Sequence, residues 1–256
     1  MKIALCFSGQ PRFVKEIYPS IKKYLIGNYQ FDVFAHLWFD EKLRTEPYKY
    51  GGAGGWEHQR ISVDAIKVFE ELYQPKKIKV EPSKVFKYHN LTTKLCHYPD
   101  GKVIEWSKHW QDSQEPDYRN RIVHNNISNF YSLQQVNLLK QAYEFENDFQ
   151  YDLVIRCRTD TILHHNIQYE LLDKKYVYYT NTLNQPDGMI ADWINIGNSE
   201  NMDVFMNTFG NIRKVFELCI SKHHGCWSNE MLHRITLDLF NIPHQGLPIY
   251  VSLPRF

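Results

Sequence analysis

The sequence predicts an α/β fold with a mainly parallel central sheet flanked by helices. Strand-like and helix-like patterns alternate from the first residue onward, which is typical of parallel strands joined by helical crossovers. Apolar strand-like runs open the chain and recur near residue 151, and each lies beside a segment whose apolar residues have helical spacing. A chain of 256 residues can bury a large core, and we expect one domain over residues 1–256.

In the first half, the apolar run KIALCF at residues 2–7 predicts a buried strand. The helix predicted after it, over residues 13–26, contains Pro19, which should kink or divide it. Ser62 is expected to cap the next helix. The further elements predicted in this half are a strand over 32–37, a helix over 62–73 and a strand over 77–80.

In the second half, a helix over residues 126–148 is predicted from a sustained helical spacing of apolar residues. It leads directly into a strand over residues 151–156, as expected for a parallel sheet covered by helices. The remaining predicted elements are strands over 176–182 and 249–252 and helices over 199–208 and 228–240.

Two segments have no clear strand or helix pattern. Gly51, Gly52, Gly54 and Gly55 do not form a dinucleotide-binding fingerprint, which requires glycines directly between a strand and a helix. This stretch is either a flap that closes over a site or a passive surface loop. The polar segment 88–121 either holds an acceptor or is a surface insertion.

Charge and cysteine usage exclude some classes of partner and compartment. Thirty Lys and Arg against 29 Asp and Glu give a net charge of +1, so we expect no nucleic-acid partner. The five cysteines are scattered and never form a CxxC pair, which predicts free thiols in a reducing compartment. Neither a secretory signal nor an apolar run of the ~20 residues needed to span a bilayer is present. We therefore expect a cytoplasmic protein without a transmembrane segment.

The stretch YDLVIRCRTD, residues 151–160, contains the strongest functional signal. An extended chain would put the side chains of Arg156, Arg158 and Asp160 on one face, where the strand ends. Ligands of open α/β sheets bind outside the carboxyl ends of the strands. Two cations and a carboxylate at this position predict an anionic ligand, with or without a metal ion. The alternative is an exposed ion-pair cluster without a ligand.

Five segments together resemble a known family. They are CFSGQPR, DVFAHLW, NFYSLQQ, YDLVIRCRTD and ADWINIGNSENMD, in this order along most of the chain. Their succession resembles small GT-A-type glycosyltransferases of bacterial surface-polysaccharide loci and large DNA viruses. The resemblance implies a GT-A-like single domain with a Rossmann-like nucleotide-binding part at about 1–160 and an acceptor-side part at about 161–256. It also implies a UDP-, GDP- or dTDP-linked sugar donor and a glycan hydroxyl acceptor.

The resemblance implies contacts to the nucleotide sugar from the loop after the first strand and from the second strand. The loop supplies Ser8, Gly9, Gln10 and Arg12, and the strand supplies His36. Glycine permits close approach of the backbone to a ligand, and a guanidinium can clamp a phosphate. The alternative for the loop is a turn punctuated by Gly9 and Pro11.

The same resemblance implies a divalent cation, Mn²⁺ or Mg²⁺. The family holds it with an Asp-x-Asp motif at a strand end, and Arg158-Thr159-Asp160 occupies that position with arginine in place of the first carboxylate. Asp160 is thus the expected metal ligand, and His244 in a late His-x-Gly is a second candidate. Alternatively, Arg156 and Arg158 supply part of the positive charge of the ion.

Two carboxylates are candidates for the acceptor side. The resemblance implies that Asp192 lies at the sugar or acceptor end as a general base or sugar-hydroxyl contact. Glu230 is the competing base, although a carboxylate in a first helical turn also favours the helix dipole. Two other functions remain open: nucleotidyl transfer to a sugar phosphate, and non-catalytic binding of a glycan or nucleotide. The oligomeric state is not predicted.

Overall fold

A computed structural model describes residues 1–40, 61–86, 118–180, 189–223 and 228–254. The glycine-rich flap, most of the 88–121 segment and residues 181–182 of a predicted strand lie outside these residues. The described part contains nine strands: β1 Ile3–Gly9, β2 Phe31–Trp38, β3 Lys77–Glu81, β4 Leu153–Cys157, β5 Ile162–Leu163, β6 Val177–Thr180, β7 Ile194–Gly197, β8 His244–Leu247 and β9 Val251–Ser252.

Seven of these strands form one mainly parallel sheet in the order β3-β2-β1-β4-β7-β6-β8. β1 pairs in parallel with both β2 and β4, and β6 pairs in parallel with β8. Within this sheet only β7 runs antiparallel to its neighbours β4 and β6. β5 and β9 form a separate two-stranded antiparallel sheet. The predicted α/β fold with a mainly parallel sheet is confirmed.

Helices cover both faces of the seven-stranded sheet. Those described are α1 Val14–Ser20, α2 Ala65–Tyr73, α3 Tyr118–Glu146, α4 Ser199–Met206, α5 Ile212–His223 and α6 Asn229–Leu239. The side chains of alternate strand residues pack into two separate hydrophobic cores. Val154 packs with Phe130 of α3 and Phe205 of α4 on one face, whereas Ile155 belongs with Ile17 of α1 and the α2 residues on the other. No helix in the described part is both long and apolar enough for a membrane span.

Several local predictions can be compared with these elements. Pro19 does divide the first helix, which continues as a π-helical segment, Ile21–Ile26. The prediction that Ser62 caps the next helix is wrong, because α2 begins at Ala65 and Ser62 lies one turn earlier. Ser228 does cap α6, since its hydroxyl accepts a hydrogen bond from the Met231 amide at 3.2 Å.

The strand order places a crevice between β1 and β4. The chain proceeds from β1 to β2 and β3 on one side, and then returns to β4 on the other side of β1. Ligands of open α/β sheets bind outside the carboxyl ends of the strands at such a reversal. Here both loops continue on the same face of the sheet, since Leu163 after β4 packs in one core with Ile17 of α1. The loops in question follow Gly9 and Cys157.

A buried ionic network joins α3 to α4. The Lys140 ammonium is fully buried and donates to Glu144 Oε2 at 2.8 Å, to Ser199 Oγ at 2.6 Å and to Asp203 Oδ1 at 2.6 Å. Glu144 Oε1 in turn accepts from the Ser199 hydroxyl at 2.7 Å and from the Tyr151 amide at 2.9 Å. The donors and acceptors are thus matched within a site that excludes water.

We expect Lys140→Met to lower the free energy of unfolding by about 3 kcal/mol, because it leaves Glu144 as a buried carboxylate without its cation. Lys67→Met is the matched control. Lys67 and Glu71 form the same i,i+4 pair on α2, but 3.8 Å apart and largely exposed. Its removal should change stability by less than ~1 kcal/mol. Urea unfolding measures the free energy of unfolding of both variants. A similar decrease in the two variants would contradict the structural role of Lys140.

Candidate active site

The loops after β1 and β4 are hydrogen-bonded to each other. The Thr159 hydroxyl donates to the Gln10 carbonyl at 2.5 Å and accepts from the Arg12 amide at 3.4 Å. Gly9 ends β1 with a φ of 116°, a conformation that side chains rarely adopt, so glycine is needed there for the turn itself. The two loops therefore hold Arg12 and Asp160 at the same end of the crevice.

Asp160 lies between two guanidinium groups. Arg158 donates from Nε and Nη2 to the two carboxylate oxygens, at 2.8 and 2.9 Å, and Arg12 Nη1 donates to Oδ2 at 3.3 Å. Gln10 orients Arg12, because its side-chain oxygen accepts from Arg12 Nε at 3.0 Å. Burial alone would raise the pKa of Asp160, but the charges of Arg158 and Arg12 outweigh it and lower the pKa to about 2. Asp160 is ionised at neutral pH.

Asp192 contacts Arg158 from the segment that precedes β7. It precedes β7 and is almost buried, and both its carboxylate oxygens lie 3.5 Å from Arg158 Nη1. The Arg158 amide also donates to the Trp193 carbonyl at 3.1 Å. Arg158 thus bridges the carboxylates of Asp160 and Asp192, and the backbone fixes its position.

Glu230 lies in the first turn of α6, close to Asp192. Its carbonyl accepts from the Ile190 amide at 3.2 Å, which links α6 to the segment that carries Asp192. Burial raises the pKa of Glu230, and the negative charge of Asp192 raises it further. Both effects favour the neutral form of Glu230 relative to a free carboxyl group.

That Arg156 shares one face with Arg158 and Asp160 stays a prediction. The strand β4 ends at Cys157, although the Arg158 amide still bonds to the Trp193 carbonyl of the neighbouring segment. Arg156 is fully buried inside the strand and donates from Nη2 to the Asn129 side-chain oxygen on α3 at 3.3 Å. Burial lowers the pKa of Arg156 to about 10, although the charge of Asp192 opposes this effect.

Ser8 and His36 lie in the strands beneath the loops. Ser8 is buried near the end of β1. The His36 ring is fully buried and makes hydrogen-bond contacts to Ser132 Oγ and Glu81 Oε2, each at 2.8 Å. Burial lowers the pKa of His36 to about 4, despite the nearby carboxylate of Glu81. His36 therefore connects β2 to α3 and β3, and these contacts do not bring it to Asp160.

The structure does not bring His244 together with Asp160. His244, at the start of β8, pairs with Val177 of β6. The β6–β7 register puts Val177 opposite Gly197, and Gly197 pairs with Val154 of β4, so His244 is level with Val154. It is therefore three strands away from β4, or about 14 Å laterally, and at the opposite end of the strands from Asp160. These two residues cannot share a cation in this arrangement.

The donor set does not fit a resident Mn²⁺ or Mg²⁺. Both oxygens of Asp160 already accept hydrogen bonds from guanidinium groups, and Asp192 faces Arg158. In the described ranges, no group of three or more His, Cys, Asp and Glu side chains could hold a metal ion. Hard cations need several oxygen ligands, which here are neutralised by arginine.

A cavity of about 500 Å³ opens beside the Arg12 loop. It lies between the start of α1 and the helix α2. Its walls combine charged residues with the apolar side chains of α2; they include Arg12, Lys15, Glu16, Asp64, Val68 and Leu72. Its volume is in the range of small-molecule sites. Arg12 belongs both to this cavity and to the contact with Asp160.

Some residues near this site were not singled out from the sequence. Thr159, Asn129, Asn195 and His233 all lie next to the predicted residues in the structure. A sequence signal existed for Asn195, which is the one polar residue in the apolar run INI. Thr159 lies within the recognised RTD segment. Asn129 is the first residue of the recognised NFYSLQQ segment, whereas His233 is a polar residue in a helix whose sequence context does not distinguish it.

Comparisons with known proteins give structural neighbours only. No protein-family model matches the chain, and no curated protein matches it either. Similar solved structures include the glycosyltransferase GlyE of Streptococcus pneumoniae TIGR4 in its apo form, with 12% identity and a TM-score of 0.39. A second GlyE structure has 11% identity and a TM-score of 0.40. The alignments cover 96% and 97% of this chain, but only 45% of each GlyE chain, so this chain spans less than half of their length.

We expect the free energy of unfolding to fall as the pH drops from 6.5 toward 4. The pKa of His36 is near 4 in the folded protein and near 6.5 when unfolded, so acid protonates the unfolded chain first. The contribution of neutral, buried His36 to the free energy of unfolding is fully present above pH 6.5. It is lost at up to about 1.4 kcal/mol per pH unit as the pH falls. His36→Gln should make this slope shallower in urea unfolding at pH 7, 6 and 5.

His164→Gln serves as the control for this experiment, because His164 is exposed and makes surface contacts to Ser252 Oγ and to the Tyr250 ring. Its slope should equal that of the wild type. An unchanged slope in His36→Gln would contradict a buried, neutral His36.

Proposed function

We propose that this chain is a glycosyltransferase that moves a sugar from a nucleotide-diphosphate donor to a glycan hydroxyl. The observation that carries the proposal is the meeting of Arg12 and Arg158 around Asp160 at the crevice between β1 and β4. Crevices of this kind bind ligands in open α/β sheets, and guanidinium pairs bind phosphates. The proposal rests on this geometry and on the sequence resemblance.

The proposed role of the arginines is to hold the diphosphate and to stabilise its charge as it leaves. Arg12 and Arg158 contact Asp160, Arg158 also contacts Asp192, and Arg156 lies within reach of the charge of Asp192, so three cations meet two carboxylates. A fixed positive site stabilises charge that develops on a leaving group. In this proposal the arginines supply the charge that a cation supplies in the resembling family, and no step uses a metal ion.

The proposed position of the nucleoside is the cavity of about 500 Å³ beside α1 and α2. Arg12 lies at the boundary between this cavity and the diphosphate position, so one residue contacts both parts of the donor. The carboxylates of Glu16 and Asp64 in the cavity wall can accept hydrogen bonds from sugar hydroxyls or base N–H groups. UDP-, GDP- and dTDP-linked donors all remain candidates.

The proposed reaction uses Asp192 as the base. The acceptor hydroxyl gives its proton to the Asp192 carboxylate as its oxygen bonds to the anomeric carbon, and the bond from that carbon to the diphosphate breaks. The electron pair of that bond stays on the diphosphate, which Arg12 and Arg158 stabilise. Glu230, whose pKa is raised by burial and by the charge of Asp192, lies beside this base.

A second function is favoured by one specific observation. Arg158 occupies the position at which the resembling family has the first carboxylate of its Asp-x-Asp motif, and it neutralises Asp160. A protein that only binds a nucleotide or glycan needs no metal-assisted departure, so non-catalytic binding is the second candidate. It predicts binding of a nucleoside diphosphate without turnover of any nucleotide sugar. The cytoplasm remains the proposed location, in agreement with the buried free thiols of Cys6, Cys157 and Cys219.

We expect one of UDP, GDP and dTDP to raise the melting temperature in EDTA as much as it does with Mn²⁺, because arginines hold the diphosphate. Arg158→Gln and Asp160→Asn should each abolish most of this shift, since Asp160 fixes the Arg158 fork. Arg158→Lys should restore it only in part, because an ammonium lacks the bidentate geometry. Differential scanning fluorimetry measures all four proteins.

Arg234→Gln is the control, since Arg234 forms an i,i+4 pair with Asp238 on the surface of α6. A shift that requires Mn²⁺ in the wild type would overturn the arginine mechanism and restore Asp160 as a metal ligand. Absence of any nucleotide response in the wild type would overturn the proposed function.

We expect Asp192→Asn to lower kcat for release of the nucleoside diphosphate by about 100-fold or more, with nucleotide binding retained, because a general base typically contributes that much. Glu230→Gln keeps a neutral hydrogen-bond donor and should lower kcat by less than about 10-fold. The comparison of the two isosteric variants on the same donor assigns the base. A larger loss in Glu230→Gln than in Asp192→Asn would transfer the role of the base to Glu230.

A further inference from the structure

Arg156 is a buried cation whose hydrogen-bonding capacity is largely unused. The residue is fully buried, and of its three nitrogens only Nη2 donates a hydrogen bond, to the neutral side-chain oxygen of Asn129. Nε and Nη1 have no partner anywhere in the described part of the chain. A buried charge is normally paired and fully hydrogen-bonded, because desolvation without a partner costs several kcal/mol. The structure gives Arg156 neither.

Other unpartnered polar atoms surround Arg156 on the same side of the sheet. Asn195 lies directly opposite Arg156 in the β4–β7 pair, and its Oδ1 has no partner among the described residues. The same is true of Asn129 Nδ2 on α3 and of both ring nitrogens of His233 on α6. Asn195 and His233 are fully buried, as is Arg156. Hydrogen bonds within the protein do not account for this group of atoms.

The apolar surroundings hold these side chains in place. His233 stacks on Phe205 with a centroid distance of 4.5 Å, and Phe130 meets the same ring edge to face at 5.0 Å. Burial lowers the pKa of His233 to about 3, and the charge of Arg156 lowers it further, so His233 is neutral. The ring therefore offers one N–H donor and one acceptor. Together with Arg156 Nε and Nη1 and Asn129 Nδ2, the group is rich in donors.

The nearby carboxylates do not complete the coordination of Arg156. Asp192 raises the pKa of Arg156, but its oxygens lie against Arg158 at 3.5 Å. Asp160 is paired with Arg158 and Arg12. The unpartnered donors are two nitrogens of the Arg156 guanidinium, the Asn129 amide nitrogen and the His233 ring N–H. Together they match the lone pairs of a planar oxyanion.

We propose that Arg156, Asn129 and His233 form a subsite for an oxyanion, the carboxylate of an acidic sugar. The inference rests on the proposed function, because it takes the acidic sugar to be part of the substrate of the transferase. Asn129 is only half-buried, so the subsite adjoins the surface along α3. A carboxylate could also come from a free organic anion, and the experiment separates the two sources.

The first experiment supplies the missing anion from the protein itself. Asn129→Asp is isosteric and turns the neutral contact to Arg156 into a charge-assisted pair. Without any added ligand, its melting temperature should exceed that of the wild type by about 2–4 °C. In the Arg156→Gln background the same substitution should lower the melting temperature, because the carboxylate then has no cation. A lowered melting temperature of Asn129→Asp with Arg156 present would overturn the proposal.

The second experiment identifies the source of the oxyanion. Melting temperatures are compared in sodium glucuronate, glucose, sodium acetate and sodium chloride, with ionic strength balanced by chloride. Glucuronate should stabilise the wild type while glucose does not, and both Asn129→Asp and Arg156→Gln should lose the response. An equal shift with acetate would overturn the acidic-sugar assignment in favour of a free carboxylate. No shift with either carboxylate, or an undiminished shift in Arg156→Gln, would overturn the subsite.

The outcomes also separate this inference from the proposed function. The response to nucleoside diphosphates depends on Arg12, Arg158 and Asp160, whereas the response to glucuronate depends on Arg156 and Asn129. A diphosphate response without a glucuronate response refutes the acidic-sugar subsite alone. A glucuronate response without any diphosphate response refutes the transferase and leaves a protein that binds acidic sugars.

Discussion

The ion pairs of Asp160 with Arg158 and Arg12 are the interaction on which the rest of the site depends. They join the loop after β4 to the loop after β1 at the reversal of the strand order. Asp160 is almost buried, so its charge requires both guanidinium groups. In return, the carboxylate holds two flexible arginines at fixed positions where a diphosphate can meet them. Strand order provides the crevice, and this carboxylate organises its charges.

Arg158 connects the two parts of the site. It contacts Asp160 on the nucleotide side and Asp192 on the side of β7, while its amide is bonded to the Trp193 carbonyl. An arginine in place of a carboxylate reverses the sign of the charge at this position. The site then attracts phosphate directly, where an acidic site would need a cation to do so.

The long apolar strands and their parallel pairing could be predicted from the sequence, because β1, β2 and β4 are continuous buried runs. β7 and β8 were not predicted, since four residues with Asn195 or with His244 and Gln245 give no strand pattern. Proximity of the Arg12 loop to Asp160 was implied by the family resemblance, which assigns both to the nucleotide sugar. The full burial of Arg156 beside a partly exposed Arg158 could not be predicted, because it depends on the helices that cover β4.

The contrast between these two arginines bears on specificity. Arg158 is partly exposed and its carboxylate contacts are made within the protein, so water can replace a ligand there at little cost. Arg156 lies beside the apolar ring stack of His233 and Phe205, where water cannot screen it. A ligand that fails to pair Arg156 leaves the buried charge unsatisfied, which is the most effective way for a protein to reject a close analogue. Discrimination between an acidic and a neutral sugar therefore belongs to Arg156, and attraction of the diphosphate belongs to Arg158 and Arg12.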